Sequence, residues 1–191
     1  TAYPSRRAWL HVVVRDGVGR AVFESGAVRP DGSIAGNDND ADAQRFEPHH
    51  EVVTSPDEVQ IYEAIMVDSR DAPTTGLLRG VRFVKDNRLL PRGFNKQTAE
   101  PDFAVRGAAA DDADFVGGAD RVRYRIPLSA GAAGPLTVEA ELLYQSISYR
   151  WAENLRAYSS EETQRFGRYY SENAPASAVV IATAAATIEA R

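Results

Sequence analysis

The chain has no cysteine, a single methionine and only three histidines in 191 residues. Without thiols there is no disulfide, no zinc-thiolate site, no cysteine nucleophile and no covalent c-type haem attachment within this chain. No apolar run approaches the ~20 residues that a membrane-spanning helix needs. No basic patch interleaved with aromatics suits nucleic acid. Ser5, Ser25 and Ser146 lack the GxSxG elbow of an α/β hydrolase, and there is no glycine-rich phosphate loop. Gly117-Gly118, within DFVGGADRV, reads instead as a turn before a strand.

What is present is ordinary for a globular protein: 43% hydrophobic and 26% charged residues, with a net charge of -5 spread along the chain. The length suits one domain with a core large enough to need no covalent staples. The chain opens at TAYPSRRAWL, with Thr1 where an initiator methionine would stand and strand-like sequence almost at once. It reads as a piece of a longer precursor.

AWLHVVV at residues 8–14 is rich in β-branched and aromatic residues, Asp16-Gly17 marks a turn, and residues 21–24 resume as a strand. That is a hairpin, closed off by Pro30-Asp31-Gly32. Residues 31–51 show few apolar groups and no period, as in a long loop. Strands are expected at 59–67, 77–85 and, shorter, 102–107. In DRVRYRIPL, Val122, Tyr124, Ile126 and Leu128 alternate with Arg121, Arg123 and Arg125, so one face is buried and the other wet. Residues 136–144 repeat that pattern. Ser159 with Glu162 forms a capping box that should open a helix, with Thr163, Phe166 and Tyr170 on one face and Pro175 as its stop. SAVVIATAAATIE is ambiguous: its alanines suit a helix, while Val179, Val180, Ile181 and Thr183 favour a strand, the reading preferred by a small margin. Consecutive strands without intervening helices point to a mainly β fold, an antiparallel sandwich of immunoglobulin-like or jelly-roll type. The expected organisation is a β-sandwich over 1–155, with a helical and extended appendage, 156–191, packed on it.

Asp38, Asp40 and Asp42 alternate in the acidic loop and offer several oxygens to a hard cation such as Ca2+. The helix-loop-helix calcium pattern is broken, because its glycine position holds Ala43 and its closing glutamate position holds His49. His49 and His50 are adjacent and would point to opposite faces of a strand, which argues against one shared metal. His11 lies inside a strand. Glu63, Glu139 and Glu141 are the strand carboxylates that a glycosidase-like hydrolase would use.

The ten-residue block KDNRLLPRGF, 85–94, condenses the most chemistry. Lys85, Arg88 and Arg92 could hold an anion or an acidic partner surface. A structural role accounts for every residue type: Asp86 and Asn87 shape a turn through their own backbone, Arg88 forks onto a buried carboxylate, Leu89 and Leu90 enter the core, and Pro91 with Gly93 turns the chain away. Arg6 and Arg7 could add contacts of the same kind, and Glu63 is a candidate partner for the corner.

Several segments in order resemble one family: YPSRRAWLHV (3–12), FESGA (23–27), DGSI (31–34), VQIYE (59–63), LLRGVRFVKDNRLLPRGF (77–94), DFVGGADRVRY (114–124) and ELLYQSISYRWAENL (141–155). The series is similar to the haem-free β domain that follows c-type haem motifs in bacterial multihaem cytochrome-like proteins. The resemblance implies an exported, periplasmic protein whose haems sit on an upstream segment, with a Gly-His-containing stretch leading into PSRRAW and a redox protein as partner. The chain departs from the full-length pattern in lacking every CxxCH, and no active-site residues carry over. The reading is a non-catalytic domain that supports or positions an upstream haem domain. The alternatives are a calcium-stabilised carbohydrate- or protein-binding module and a hydrolase using strand carboxylates.

Overall fold

The computed structural model describes residues 3–128 and 134–189. It is mainly strand, in antiparallel sheets, with three short α-helices. The strand β1 (Arg7–Arg15) is the centre of the largest sheet. On one side it pairs along its full length with β9 (Leu136–Gln145), which in turn pairs with β10 (Ala178–Ile188). On the other side two short strands share its edge. The strand β2 (Ala21–Ser25) takes Val12–Arg15, and β4 (Ile61–Tyr62) takes Ala8 and Trp9.

The hairpin from β1 to β2 forms as its turn residues predict. Asp16 accepts backbone N–H groups from Val18 and Arg20 through Oδ1, and Gly19 adopts a φ of 81°. Gly26 follows with φ 83°, and any Cβ there would collide with the Leu10 carbonyl. This close approach lets the Gly26 carbonyl accept the indole N–H of fully buried Trp9 at 3.0 Å.

A second sheet is built from β5 (Ala64–Val67), flanked by β6 (Pro73–Thr74) and β7 (Arg82–Asp86). The two sheets are joined through one residue. Chain 61–67 belongs to the first sheet up to Tyr62, passes Glu63, and enters the second at Ala64. A third, two-residue pairing is parallel, between β3 (Val52–Val53) and β8 (Arg123–Tyr124). The sheets are not closed on one another, so the expected sandwich is matched only at the level of antiparallel, mainly β architecture.

Several local expectations need correction. Residues 77–81 are a turn, because Arg79 and Gly80 both donate to the Gly76 carbonyl, and the strand starts only at Arg82. Residues 102–107 form no strand. Asp102 and Phe103 belong to a 3-10 turn at Pro101–Phe103 and Gly107 opens another at Gly107–Ala110; of the residues between, Arg106 bridges to Asp86. DRVRYRIPL keeps its alternation of exposed arginines and half-buried Val122, Tyr124 and Ile126, but Leu128, expected on the buried face, is exposed, and the ladder among the described residues is the short pairing with β3. The acidic loop contains a four-residue helix, α1 (Asp38–Ala41), opened by the Asn37 side chain.

Of the one or two helices expected near the C-terminus, α3 (Glu161–Asn173) is the one that the capping box places, whereas α2 (Tyr149–Leu155) falls within the span 1–155 read as sandwich, where the sequence places no helix. The cap of α3 is Ser160 instead of Ser159: its hydroxyl accepts the Thr163 N–H at 3.3 Å. Phe166 and Tyr170 share a face of α3 and pack with Ala152 and Ala174. The final run is a strand, as read, and it completes the largest sheet by pairing with β9.

Candidate functional site

Three buried polar clusters meet around the crossover at Glu63. The first is the KDNR corner itself. Lys85 and Glu63 are both buried and pair at 3.1 Å. Asn87 is wholly buried; its Oδ1 accepts the Glu63 N–H at 2.9 Å and its Nδ2 donates to the Ile61 carbonyl at 2.8 Å. The side chain of Asn87 thus supplies the backbone partners that the sheet switch would otherwise leave without hydrogen bonds inside the protein. Arg88 forks onto Asp86, Nε at 2.8 Å and Nη2 at 2.5 Å, so the carboxylate it meets belongs to its own corner. Leu90 packs against the core formed by Ala8, Tyr62 and Phe115. Leu89 does not: it is 40% exposed, because Pro91 and the turn at Gly93 point it outward. Arg92 is also exposed.

The second cluster anchors the acidic loop. Arg7 is buried and reaches both oxygens of buried Asp40, at 2.9 and 2.8 Å. It also donates to Gln145 Oε1 at 2.9 Å and to the Gly32 carbonyl at 3.0 Å. Asp40 further accepts the Ile34 N–H at 2.8 Å. Arg150, on α2, clamps the carbonyls of Asn39 and Asp40. The three carboxylates offered to a cation each meet a partner within the protein. Asp40 is committed to Arg7, Asp38 pairs with Arg45 at 2.6 Å, and Asp42 accepts the Gln44 N–H. Arg6, next to Arg7, lies over the Tyr3 ring instead, 5.1 Å from its centroid.

The third cluster is His49, Asp112 and Asp120. Among the described residues it is the group whose His and carboxylate ligand atoms lie within 4.8 Å of one another. A one-histidine, two-carboxylate set suits a divalent transition metal in principle. The hydrogen bonds around the imidazole decide otherwise. Two side-chain amides face Nδ1, Gln60 Nε2 at 2.8 Å and Asn87 Nδ2 at 2.9 Å. Neither can be turned over, because Gln60 Oε1 accepts the His50 N–H and Asn87 Oδ1 accepts the Glu63 N–H. Nδ1 must therefore be the acceptor and Nε2 must carry the proton, which it donates to Asp112 Oδ2 at 3.0 Å. A metal at Nε2 needs that lone pair free and Nδ1 protonated, the reverse tautomer. These residues do not fit a metal.

The same arrangement resists a second proton on His49. Burial, foremost, holds its pKa below the ordinary 6.5, against the pull of Asp112 and Asp120. Asp112 in turn lies below the usual carboxylate range. Burial would raise it, but the Asp114 N–H and the His49 hydrogen bond outweigh that. Tyr62 closes the cluster by donating to Asp120 Oδ2 at 2.6 Å, and burial followed by that bond raises its phenol.

The strand glutamates do not assemble a catalytic pair with Glu63, which is spent on Lys85. Glu139 pairs loosely with Arg15, and Glu141 with Glu24 flanks half-exposed His11, at 3.1 and 3.0 Å. His50 bonds Glu47 at 2.7 Å, away from His49. Asp112, Asp120, Gln60, Gln145 and Arg150 were not singled out by the sequence. Their side-chain partners are 11 to 138 residues away, and no local spacing marks them. Searches of protein-family models, curated proteins and solved structures each found no match to this chain.

Proposed function

We propose that the chain is a non-catalytic β-sandwich module of an exported multihaem c-type cytochrome-like protein, in which it supports or positions a haem-bearing segment. The observation that carries the non-catalytic part is the internal use of the corner: Lys85, Asp86, Asn87 and Arg88 are satisfied by Glu63, by one another and by backbone, with none aimed at a ligand. The polar investment goes into joining two sheets.

A surface suited to a partner exists elsewhere. An open groove of about 960 Å³ is lined by Met66, Val81, Phe83, Pro101 and Arg106, with Arg82 at its rim. Val81 in this lining is exposed, and exposed Leu77, Leu78 and Phe103 are close in sequence to the lining residues Gly80, Asp102 and Ala104. Apolar side chains beside arginines match the apolar edge and carboxylate groups of a haem-bearing surface. Since this chain has no cysteine, the thioether attachment would be on another segment. Purification of the full-length protein tests the reading: a c-type haem absorbance is expected, and a protein without haem would refute it.

A further inference from the structure

The strand β10 is the largest exposed element left without a role. Among the described residues this eleven-residue strand pairs only with β9, through every position but Ile181, and it ends the strand order of the largest sheet. After Ala178 every residue is exposed, including Val179, Val180 and Ile181 at 45–55%. Natural edge strands are guarded by charge, proline, shortness or strong bulging. β10 has no charged residue and no proline, and its one irregularity lies between Val180 and Ala182, leaving Ala182–Ile188 in regular register. The opposite edge is different: β2 is five residues long and carries Glu24.

From this edge we infer that the chain pairs with a second copy of itself, β10 against β10, antiparallel about a two-fold axis. A strand edge is recognised by another strand, because its outward N–H and C=O groups need a complementary ladder. In a two-fold pairing each residue meets a residue of the same strand. Because β10 is neutral throughout, no register of that pairing sets like charges opposite one another. Its side chains are also small: Ala182, Ala184 and Ala186 alternate with Thr183, Ala185 and Thr187, so two sheets can run on as one without steric cost. The dimer rests on a strand edge and not on a broad packed face, so its dissociation constant should be on the order of 10 µM. The inference does not depend on the haem-associated reading.

Sedimentation of the 191-residue chain over a range of concentrations tests it. A reversible monomer–dimer equilibrium is expected, with Ala184→Lys weakening it at least tenfold while circular dichroism and melting temperature stay unchanged. The native absence of cysteine gives an independent readout. Ala184→Cys should crosslink to its copy under mild oxidation, while exposed Val18→Cys should not. A chain monomeric at several hundred micromolar, leaving the edge for a strand of another protein, would overturn the proposal. So would a dimer indifferent to Ala184→Lys and uncrosslinked through Cys at 184, or growth into open fibres.

Discussion

The two apolar segments Val59–Val67 and Ala178–Ile188 resemble each other in composition and are treated oppositely by the fold. All nine residues of the first are buried, including Gln60 and Glu63, although its strands are only two and four residues long. The second forms a continuous eleven-residue strand and is exposed over nearly its whole length. Pairing and burial are thus separate quantities. The 59–67 segment is buried because it passes between two sheets with β1 on one side and β7 on the other, and its polar groups are met by Asn87, Lys85, His49 and Asp120. Among the described residues the final strand is paired along one edge, and past Ala178 its side chains are exposed. One segment is where the molecule holds itself together. The other is where it can hold something else.

The contrast breaks first at the buried cations. Arg7→Ala or Lys85→Ala leaves Asp40 or Glu63 buried without its partner, and each should cost about 3–5 kcal/mol in urea unfolding. Charge removal on the exposed side of the comparison, such as Arg92→Ala, should stay within about 0.5 kcal/mol. A small loss at Lys85 would mean that the crossover is not held by its ion pair.

A smaller effect sharpens the same point through pH. The folded-state pKa of His49 is depressed, so the unfolded chain binds the extra proton first as pH falls. This group contributes no pH dependence above about 6.5 and lowers stability as pH drops below it, by at most about 1.4 kcal/mol per pH unit until the folded pKa is reached. His49→Gln should be less stable at neutral pH and show a shallower acid limb between pH 6.5 and 5. An unchanged limb would mean that His49 accepts its proton without breaking the amide contacts at Nδ1.

Much of this arrangement is readable in one dimension, for a physical reason. Alternation shows in a strand's own sequence, so β9 is legible, and β-branched content marks β1 and tips the otherwise ambiguous β10 toward a strand; the Asp16-Gly17 turn and the opening of α3 are legible to within one residue. The corner is legible in part, because Asp86 and Arg88 act on each other; Asn87 departs from the expectation, since its side chain bonds Glu63 and Ile61, 24 and 26 residues earlier, instead of its own backbone. What the sequence hides are pairings closed across the chain. Asp40 looks like one ligand in an alternating acidic run until Arg7, 33 residues earlier, takes it. His49 looks like half of a histidine pair until Gln60, Asn87 and Asp112 enclose it. Spacing alone cannot distinguish a carboxylate that waits for a cation from one that an arginine already holds. The run 77–85 misleads for a local reason, since Gly76 accepts two backbone N–H groups and curls residues that would otherwise extend.

Hydrogen exchange resolved by residue tests the contrast most directly. Amides of 61–67 should exchange only through global unfolding, with protection equal to the unfolding free energy, because their partners lie on two sheets at once. Those of 182–188 that face away from β9 should exchange rapidly in dilute solution. Uniform protection of both segments under dilute conditions, or early loss at 61–67, would contradict the division between a locked crossover and an open edge.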